Sequence, residues 1–109
     1  MNEISSDAIR GYIDVMILYL ILDEPSYGYE VSKQIRILSD EKYIIKETTL
    51  YSAFNRLEKK GYAKSFSKKE STGKRRTYYQ ITDEGRAYYA HCCEQWELTK
   101  EVVDRFIRK

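Results

Sequence analysis

Side chains that can read DNA bases are concentrated in one stretch of the chain, ETTLYSAFNRLEKKGY, residues 47–62. An asparagine can form two hydrogen bonds with adenine, an arginine can form two with guanine, and hydroxyls reach phosphates or bases. No carboxylate that would repel a phosphate lies between Thr48 and Leu57. The pattern predicts a DNA-facing surface, although an ordinary solvated helix also carries polar residues. The candidate residues are Thr48, Thr49, Tyr51, Ser52, Asn55, Arg56 and Lys59.

A cluster of positive charge follows this stretch. Between Lys59 and Arg76 there are eight basic residues and one acid, whereas residues 1–58 hold ten acids and six bases. The whole chain has 19 basic and 17 acidic residues and a net charge of +2, so the cluster stands on a nearly neutral background. Such a patch indicates a polyanionic partner, with a solvated charged loop as the alternative. The candidates for contacts with phosphates or an adjacent minor groove are Lys74, Arg75 and Arg76.

Other kinds of chemistry have little support in the sequence. The adjacent residues His91, Cys92 and Cys93 cannot converge on one metal ion from a single helix, so a metal site would need a second subunit. A redox switch would need a thiol with a lowered pKa, for which His91 is a weak argument, and packing as small apolar residues is the alternative. With one histidine, no nucleophile–base pattern and no phosphate-binding glycine loop, we expect neither an enzyme nor a cofactor.

The size and composition of the chain favour one small intracellular domain. A length of 109 residues allows a modest core but not two. The most apolar run, VMILYLIL at residues 15–22, is far shorter than the roughly 20 residues of a membrane-spanning helix. The first ten residues lack the pattern of a signal peptide. Cys92 and Cys93 are adjacent in the chain, so they cannot form a disulfide that links distant parts of the fold. We therefore expect a cytoplasmic protein without a membrane segment.

Three helices are predicted in the first part of the chain. The first begins after a capping residue at positions 5–7 and runs to about Asp23, before the break at Pro25. The second is capped by Ser26 and buries an apolar stripe, and the third is capped by Thr48 or Thr49 and ends at Gly61. The second stripe consists of Tyr27, Val31, Ile35 and Leu38, and the third of Leu50, Ala53, Phe54 and Leu57.

A β-hairpin and a long helix are predicted to complete the fold. The segments YAKSFS and RRTYYQI read as two strands joined by a turn that carries the basic cluster. Alternation along the second strand places Arg75 and Arg76 on opposite faces, so we expect only one of them to contact DNA strongly. Thr82 caps a last helix that extends to about Arg108.

The order of these elements predicts a mainly α fold with a small β-hairpin, a winged helix-turn-helix domain followed by a long dimerisation helix. We expect residues 1–82 to form the DNA-binding domain and residues 83–109 to form the dimerisation helix. The third helix of such a fold enters the DNA major groove. The last helix carries an apolar stripe too large to bury in one small domain, which indicates an interface between subunits. Its clearest members are Tyr89, Trp96, Val103 and Phe106.

Three motifs resemble the PadR family of bacterial transcriptional repressors: PSYGYEV, TTLYSAFNRLEKKGY and GKRRTYYQITDEG. A tryptophan in the last helix adds to the resemblance, which covers nearly the whole chain. The resemblance implies a homodimer that binds a palindromic operator in double-stranded DNA, often near its own gene, and blocks transcription. The single helix after the wing is similar to the small subclass of the family, which implies that this helix pairs with helix one of the partner subunit and that helix one also enters the dimer interface. The alternative is a winged-helix module that binds protein or RNA without reading an operator.

The segment EQWELTKEVV around Trp96 is similar to the multidrug-sensing branch of that family. The resemblance implies a pore between subunits in which this tryptophan stacks on a planar aromatic or cationic small molecule, whereas simple packing in the dimer interface is the alternative. Paired indoles would attract such ligands. Asp14 would serve as a cation partner unless it is solvated. The residues expected to line the pore are Trp96, Ile9, Ile13, Asp14 and Cys92.

Overall fold

The computed structural model describes residues 3–109 and shows a three-stranded antiparallel sheet packed among helices. The chain order is helix α1, a 3-10 helix, α2, strand β1, α3, α4, strands β2 and β3, and α5. The bounds are α1 Ser6–Ile9, the 3-10 helix Arg10–Tyr12, α2 Ile13–Leu20, β1 Ser26–Tyr27, α3 Gly28–Leu38, α4 Glu47–Lys59, β2 Ala63–Lys69, β3 Arg75–Ile81 and α5 Asp83–Asp104. The predicted fold class, mainly α with a wing and a long last helix, is confirmed.

The first predicted helix is divided and shorter than expected. Ser5 caps it, because the Ser5 hydroxyl accepts a hydrogen bond from the amide of Ala8 at 3.1 Å. The 3-10 helix then interrupts it at Gly11, and regular helix ends at Leu20 instead of Asp23. At Ile21 the backbone leaves the helical region, with φ −119° and ψ 12°. There the amide of Ile21 donates to the carbonyl of Leu18 at 3.2 Å, a tighter turn that ends the helix.

The helix-turn-helix pair begins at different residues from those predicted. Ser26 does not cap α3, because Ser26 and Tyr27 pair with β3 as a short edge strand. The residue before α4 is Lys46, so the predicted caps Thr48 and Thr49 lie inside that helix. Gly61 ends the segment with φ +82°, as expected for a left-handed terminating residue.

Strand β3 forms the centre of the sheet, with β1 on one side and β2 on the other. The hairpin register pairs Ser65 with Tyr79 and Phe66 with Tyr78. Strand β1 was not predicted, because two residues are too few to show an alternating pattern. It ties the start of α3 to the wing.

The buried stripes of α2, α3 and α4 meet the inner face of the sheet in one core. Phe54 is fully buried and stacks on Tyr79 with ring centroids 3.9 Å apart, which joins α4 to β3. Val31 and Ile35 of α3 are buried as predicted, but Tyr27 is half-buried on the outer face of the sheet and Leu38 is 61% exposed. The predicted stripe of α3 was therefore too long at both ends.

Helix α5 is anchored at its first turn. The Thr82 hydroxyl accepts from the amide of Gly85 at 3.0 Å and donates to the carbonyl of Gly61 at 2.6 Å, so the predicted cap also joins α5 to the end of α4. A Cβ at Gly85 would lie 2.8 Å from Cγ1 of Ile81 and closer still to the carbonyl oxygen of Tyr62. This close approach requires a glycine. The helix ends at Asp104, short of the predicted Arg108. Across residues 3–109 none of the helices has both the length and the apolarity to cross a bilayer.

Candidate nucleic-acid interface

One face of α4 is buried and the opposite face is open to solvent. Leu50, Ala53, Phe54 and Leu57 are each at most 2% exposed, which fixes the rotation of the helix. At about 100° per residue, the row opposite this stripe contains Thr48, Ser52, Asn55 and Lys59, and all four are exposed. We name these four residues the outer row of α4. The outer row contains hydroxyls, an amide and an ammonium group, and it contains no acid.

Tyr51 lies beside the outer row and leans on the preceding helix. A Cβ at Gly28 would lie 2.7 Å from Cζ of Tyr51 and closer still to its hydroxyl oxygen. The Tyr51 ring also packs against Phe54, with centroids 6.0 Å apart, and the residue remains 41% exposed. Gly28 therefore provides the space that holds Tyr51 at the edge of the outer row.

The guanidinium of Arg56, a predicted base reader, lies against Asp14 of α2. Nε of Arg56 donates to Oδ2 of Asp14 at 3.0 Å, and Nη2 donates to Oδ1 at 2.5 Å, which is a bidentate pair. The pKa of Arg56 is raised, mainly by this hydrogen bond. Thr49, on the same flank of α4, is half-buried. The structure thus directs the flank with Arg56 and Thr49 towards the protein.

The wing carries its two arginines on opposite faces of β3. Arg75 pairs with Lys69 across the hairpin, and its Nη1 donates to the Ser67 hydroxyl at 3.3 Å. By alternation this is the face on which Tyr79 packs against α4. Lys74 is exposed at the turn. Arg75 therefore extends the side of the sheet that carries the outer row, and Lys74 lies next to it at the turn.

Arg76 belongs to an aromatic and ionic network on the outer face of the sheet. Its guanidinium lies over the Tyr27 ring at 4.3 Å from the centroid, and Nε is 3.6 Å from Oε1 of Glu70. Glu70 also accepts a hydrogen bond from the Tyr78 hydroxyl, which raises the pKa of Tyr78. Tyr27 and Tyr78 meet edge to face at 5.2 Å. These contacts hold the wing tip on strand β1.

An open groove with a volume of 1540 Å³ runs between the first helical segment and α5. Trp96 lines it and is 42% exposed, with its ring 5.0 Å from that of Tyr12 in an edge-to-face arrangement. Ile9, a second predicted pore residue, also lines the groove. Sequence reasoning missed four of its residues, which lie on the 3-10 helix and α2: Tyr12, Val15, Met16 and Tyr19. Tyr89 and Cys93 of α5 also line it.

The other three predicted pore residues lie elsewhere. Ile13 is 4% exposed and belongs to the core, and the carboxylate of Asp14 is held by Arg56. Cys92 lies beside Tyr88, and their hydrogen bond is the largest cause that raises the pKa of Tyr88 to about 12. The structure therefore brings Trp96 and Ile9 together and separates the remainder. Among residues 3–109 it gathers no set of three acidic, histidine or cysteine side chains suited to a metal ion.

Comparisons with known proteins identify a family and several similar chains. Residues 17–91 match the model of the Transcriptional regulator PadR-like family. A protein of Lysinibacillus sphaericus is 42% identical over 104 residues, which is 95% of each chain. The solved structure of a transcriptional regulator from Clostridium thermocellum is 62% identical, with a TM-score of 0.88 and coverage of 96% of this chain and 99% of the other. A PadR family transcription regulator from Clostridium difficile is 36% identical, with a TM-score of 0.76 and coverage of 88% and 98%.

Proposed function

Since this chain belongs to the PadR-like family of transcriptional regulators, a family of DNA-binding proteins and not of enzymes, we propose that it is a homodimeric repressor of a palindromic operator. The observation that carries the proposal is the outer row of α4, which is exposed and free of acids. The buried stripe on the opposite side of the helix gives the outer row a fixed direction. A helix of this kind meets the requirements for insertion into a major groove.

Within the outer row, each residue type suits a different contact. Asn55 has an amide that can pair with adenine, while Ser52 and Thr48 have hydroxyls that reach bases or phosphates. Lys59, at the end of the helix, suits a phosphate. Tyr51 offers its hydroxyl at the edge of the row, from the position set by Gly28. The amide of Asn55 is therefore our candidate for sequence reading, and the other groups orient the helix on the backbone.

The wing supplies the second contact. Arg75 extends the side of the sheet that faces α4 and Lys74 lies at the adjoining turn, and both are exposed, so we assign the phosphate or minor-groove contacts to them. Arg76 is engaged by Tyr27 and Glu70 and serves to hold the wing. Each phosphate contact should make the slope of log affinity against log salt steeper by about 0.9.

The dimer is proposed from the uncovered apolar surface of α5. Trp96 and Val103, seven residues apart on the same face of α5, are 42% and 50% exposed where they line the groove, and such an uncovered apolar surface on a chain of this size is typical of an interface. A second copy that packs its own α5 and first helix against the groove would bury this surface. Two-fold symmetry then places two copies of α4 roughly 34 Å apart, one turn of DNA.

The remainder of the groove suits an effector. Its walls hold the rings of Tyr12, Tyr89 and Trp96, with Glu97 and Glu101 at the side. Planar aromatic cations gain from both rings and carboxylates. We propose that such a molecule, bound between the subunits at Trp96, releases the repressor from DNA.

Selection of duplexes from a random-sequence pool tests the function directly. The wild-type protein should enrich a palindromic site and shift it at moderate salt, with at least a thousandfold preference over random duplex. Binding that is equal for selected and random duplexes at every salt concentration would contradict operator reading. Preferential binding of RNA would instead favour the interaction-module function.

A further inference from the structure

The bidentate pair between Arg56 and Asp14 joins two parts of the molecule that the proposed function treats separately. Arg56 belongs to α4, which carries the outer row, and Asp14 belongs to α2, which forms a wall of the groove. The two residues are 42 positions apart in the chain, so the pair is a tertiary contact. Its two nearly parallel hydrogen bonds fix the orientation of both side chains.

The position of Arg56 on α4 directs it away from the outer row. Arg56 follows Asn55 by one residue, which turns it by about 100° around the helix axis. That rotation brings it to the flank nearest α2, where Asp14 receives it. Its side chain is 43% exposed, so the guanidinium lies at the boundary between solvent and protein instead of projecting from the DNA-facing side.

Breaking this contact would destabilise Asp14 more than Arg56, because the side chain of Asp14 is the more buried of the two. The carboxylate side chain is only 17% exposed, and a carboxylate that is largely withdrawn from water loses stability when its partner leaves. If Arg56 turned to a guanine, Asp14 would remain unpaired and negatively charged beside a polyanion. A base-reading role for Arg56 would therefore be opposed by its own surroundings.

The neighbours of Asp14 show what the contact connects. Tyr12, Val15 and Met16, on either side of Asp14 in the chain, line the groove. The pair with Arg56 thus fixes α4 to the same short segment that contacts anything bound in the groove. A displacement of this segment would be passed to α4 through the pair.

We infer that Arg56 is a positioning residue, held by Asp14, that sets the orientation of α4 and thereby of the outer row, and that it does not read bases. The inference rests on the proposed function, since it concerns how the reading helix is held. It assigns base recognition to the outer row and gives α2 control over the angle at which that row is presented.

A double-mutant cycle separates positioning from base reading. We compare Asp14→Asn, Arg56→Gln and the double variant by fluorescence anisotropy with the duplex that the wild-type protein selects, and with the same duplex carrying single base changes. For positioning, each single variant weakens binding by about 2- to 30-fold, and the double variant is no weaker than either. The loss is the same for every base change, because no individual base contact has been removed.

The opposite pattern would overturn the inference. If Arg56 reads a guanine, Arg56→Gln abolishes preference at one base pair, while Asp14→Asn binds as tightly as the wild type or more tightly, since a carboxylate has been removed. If the wild-type protein selects no duplex, the proposed function itself has failed.

Two further variants complete the test. Asp7→Asn breaks an exposed ion pair between α1 and Arg10 of the 3-10 helix, which includes no residue of α4, and should leave DNA affinity unchanged. Asp14→Glu keeps the charge but lengthens the side chain by one methylene, so it should weaken binding with an unchanged base preference even if Asp14→Asn does not fold. Circular dichroism at the assay temperature confirms that each compared variant is folded, which separates orientation from loss of structure.

Discussion

Replacing Gly28 with alanine tests how closely the position of Tyr51 on α4 depends on α3. The added Cβ would lie 2.7 Å from Cζ of Tyr51 and closer still to the hydroxyl oxygen. Carbon atoms in good contact are about 3.5–4.0 Å apart, so the Tyr51 ring must move by about 1 Å or more. The obstructing atoms are at the end of a side chain and not in a backbone, so the ring can turn outward while α3 and α4 stay in place.

Two opposing effects set the size of the change in stability. Alanine favours a helix over glycine by up to about 1 kcal/mol, with less to gain at the first helical residue. Overpacking and the lost contact between Tyr51 and Phe54 cost about 1–3 kcal/mol. We therefore expect the Gly28→Ala protein to lose about 0–3 kcal/mol of unfolding free energy. Its DNA affinity should fall about fivefold, the value of one hydrogen bond from the displaced hydroxyl.

Urea unfolding and anisotropy with the selected duplex measure the two quantities. Gly11→Ala is the matched control, because nothing lies within 4 Å of the added Cβ. Tyr51→Phe should weaken DNA binding alone but add nothing in the Gly28→Ala background. If Gly28→Ala bound DNA like the wild type while Tyr51→Phe did not, the hydroxyl would not depend on the space at Gly28, and the reasoning would be refuted.

Four other predictions concern the start of α5, the outer row, the wing and the groove. Gly85→Ala should cost about 1–3 kcal/mol in urea unfolding, since backbone obstructs the added Cβ; a smaller cost would show that α5 shifts freely. Asn55→Ala should lose about 1–3 kcal/mol of discrimination at one adenine, seen with base-substituted duplexes. Arg75→Ala should reduce the salt slope by about 0.9 and Arg76→Ala should not, because Arg76 is held by Glu70; equal slopes would contradict the assignment. Trp96→Ala should abolish fluorescence quenching by planar cationic dyes and retain DNA binding, and a wild-type protein without quenching would exclude this sensor.

The fold was predictable because its periodic signals are local. Three signals each indicate an element within a few residues: the buried stripe of α4, the alternation in β3 and the capping residue Thr82. All three elements were located correctly. Helix boundaries were less predictable. Ser26 has the chemistry of a cap, yet pairing with Tyr79 gives its backbone another partner. That competition involves residues more than fifty positions apart, which a local pattern does not show.

In the candidate site, too, features set by local sequence were predictable and features set by distant contacts were not. Exposure of Asn55 and Ser52 follows from the stripe on the other side of their own helix, so sequence periodicity was sufficient. The environment of Arg56 was not predictable, because it depends on Asp14 of another helix. Likewise, Ile13 was grouped with Ile9 on the assumption of a continuous helix. The break at Gly11 places one of them in the core and the other in the groove.

The 3-10 helix at Arg10–Tyr12 sets the direction in which the side chains of α1 face relative to α2. A 3-10 helix turns about 120° per residue and an α-helix about 100°, so three residues add roughly 60° of extra rotation. The side chains of α1 therefore face a direction that an uninterrupted helix would not give them. The shape of the groove therefore depends on the backbone winding of these three residues, and related proteins with the same groove-lining residues but regular winding there would present a groove of a different shape.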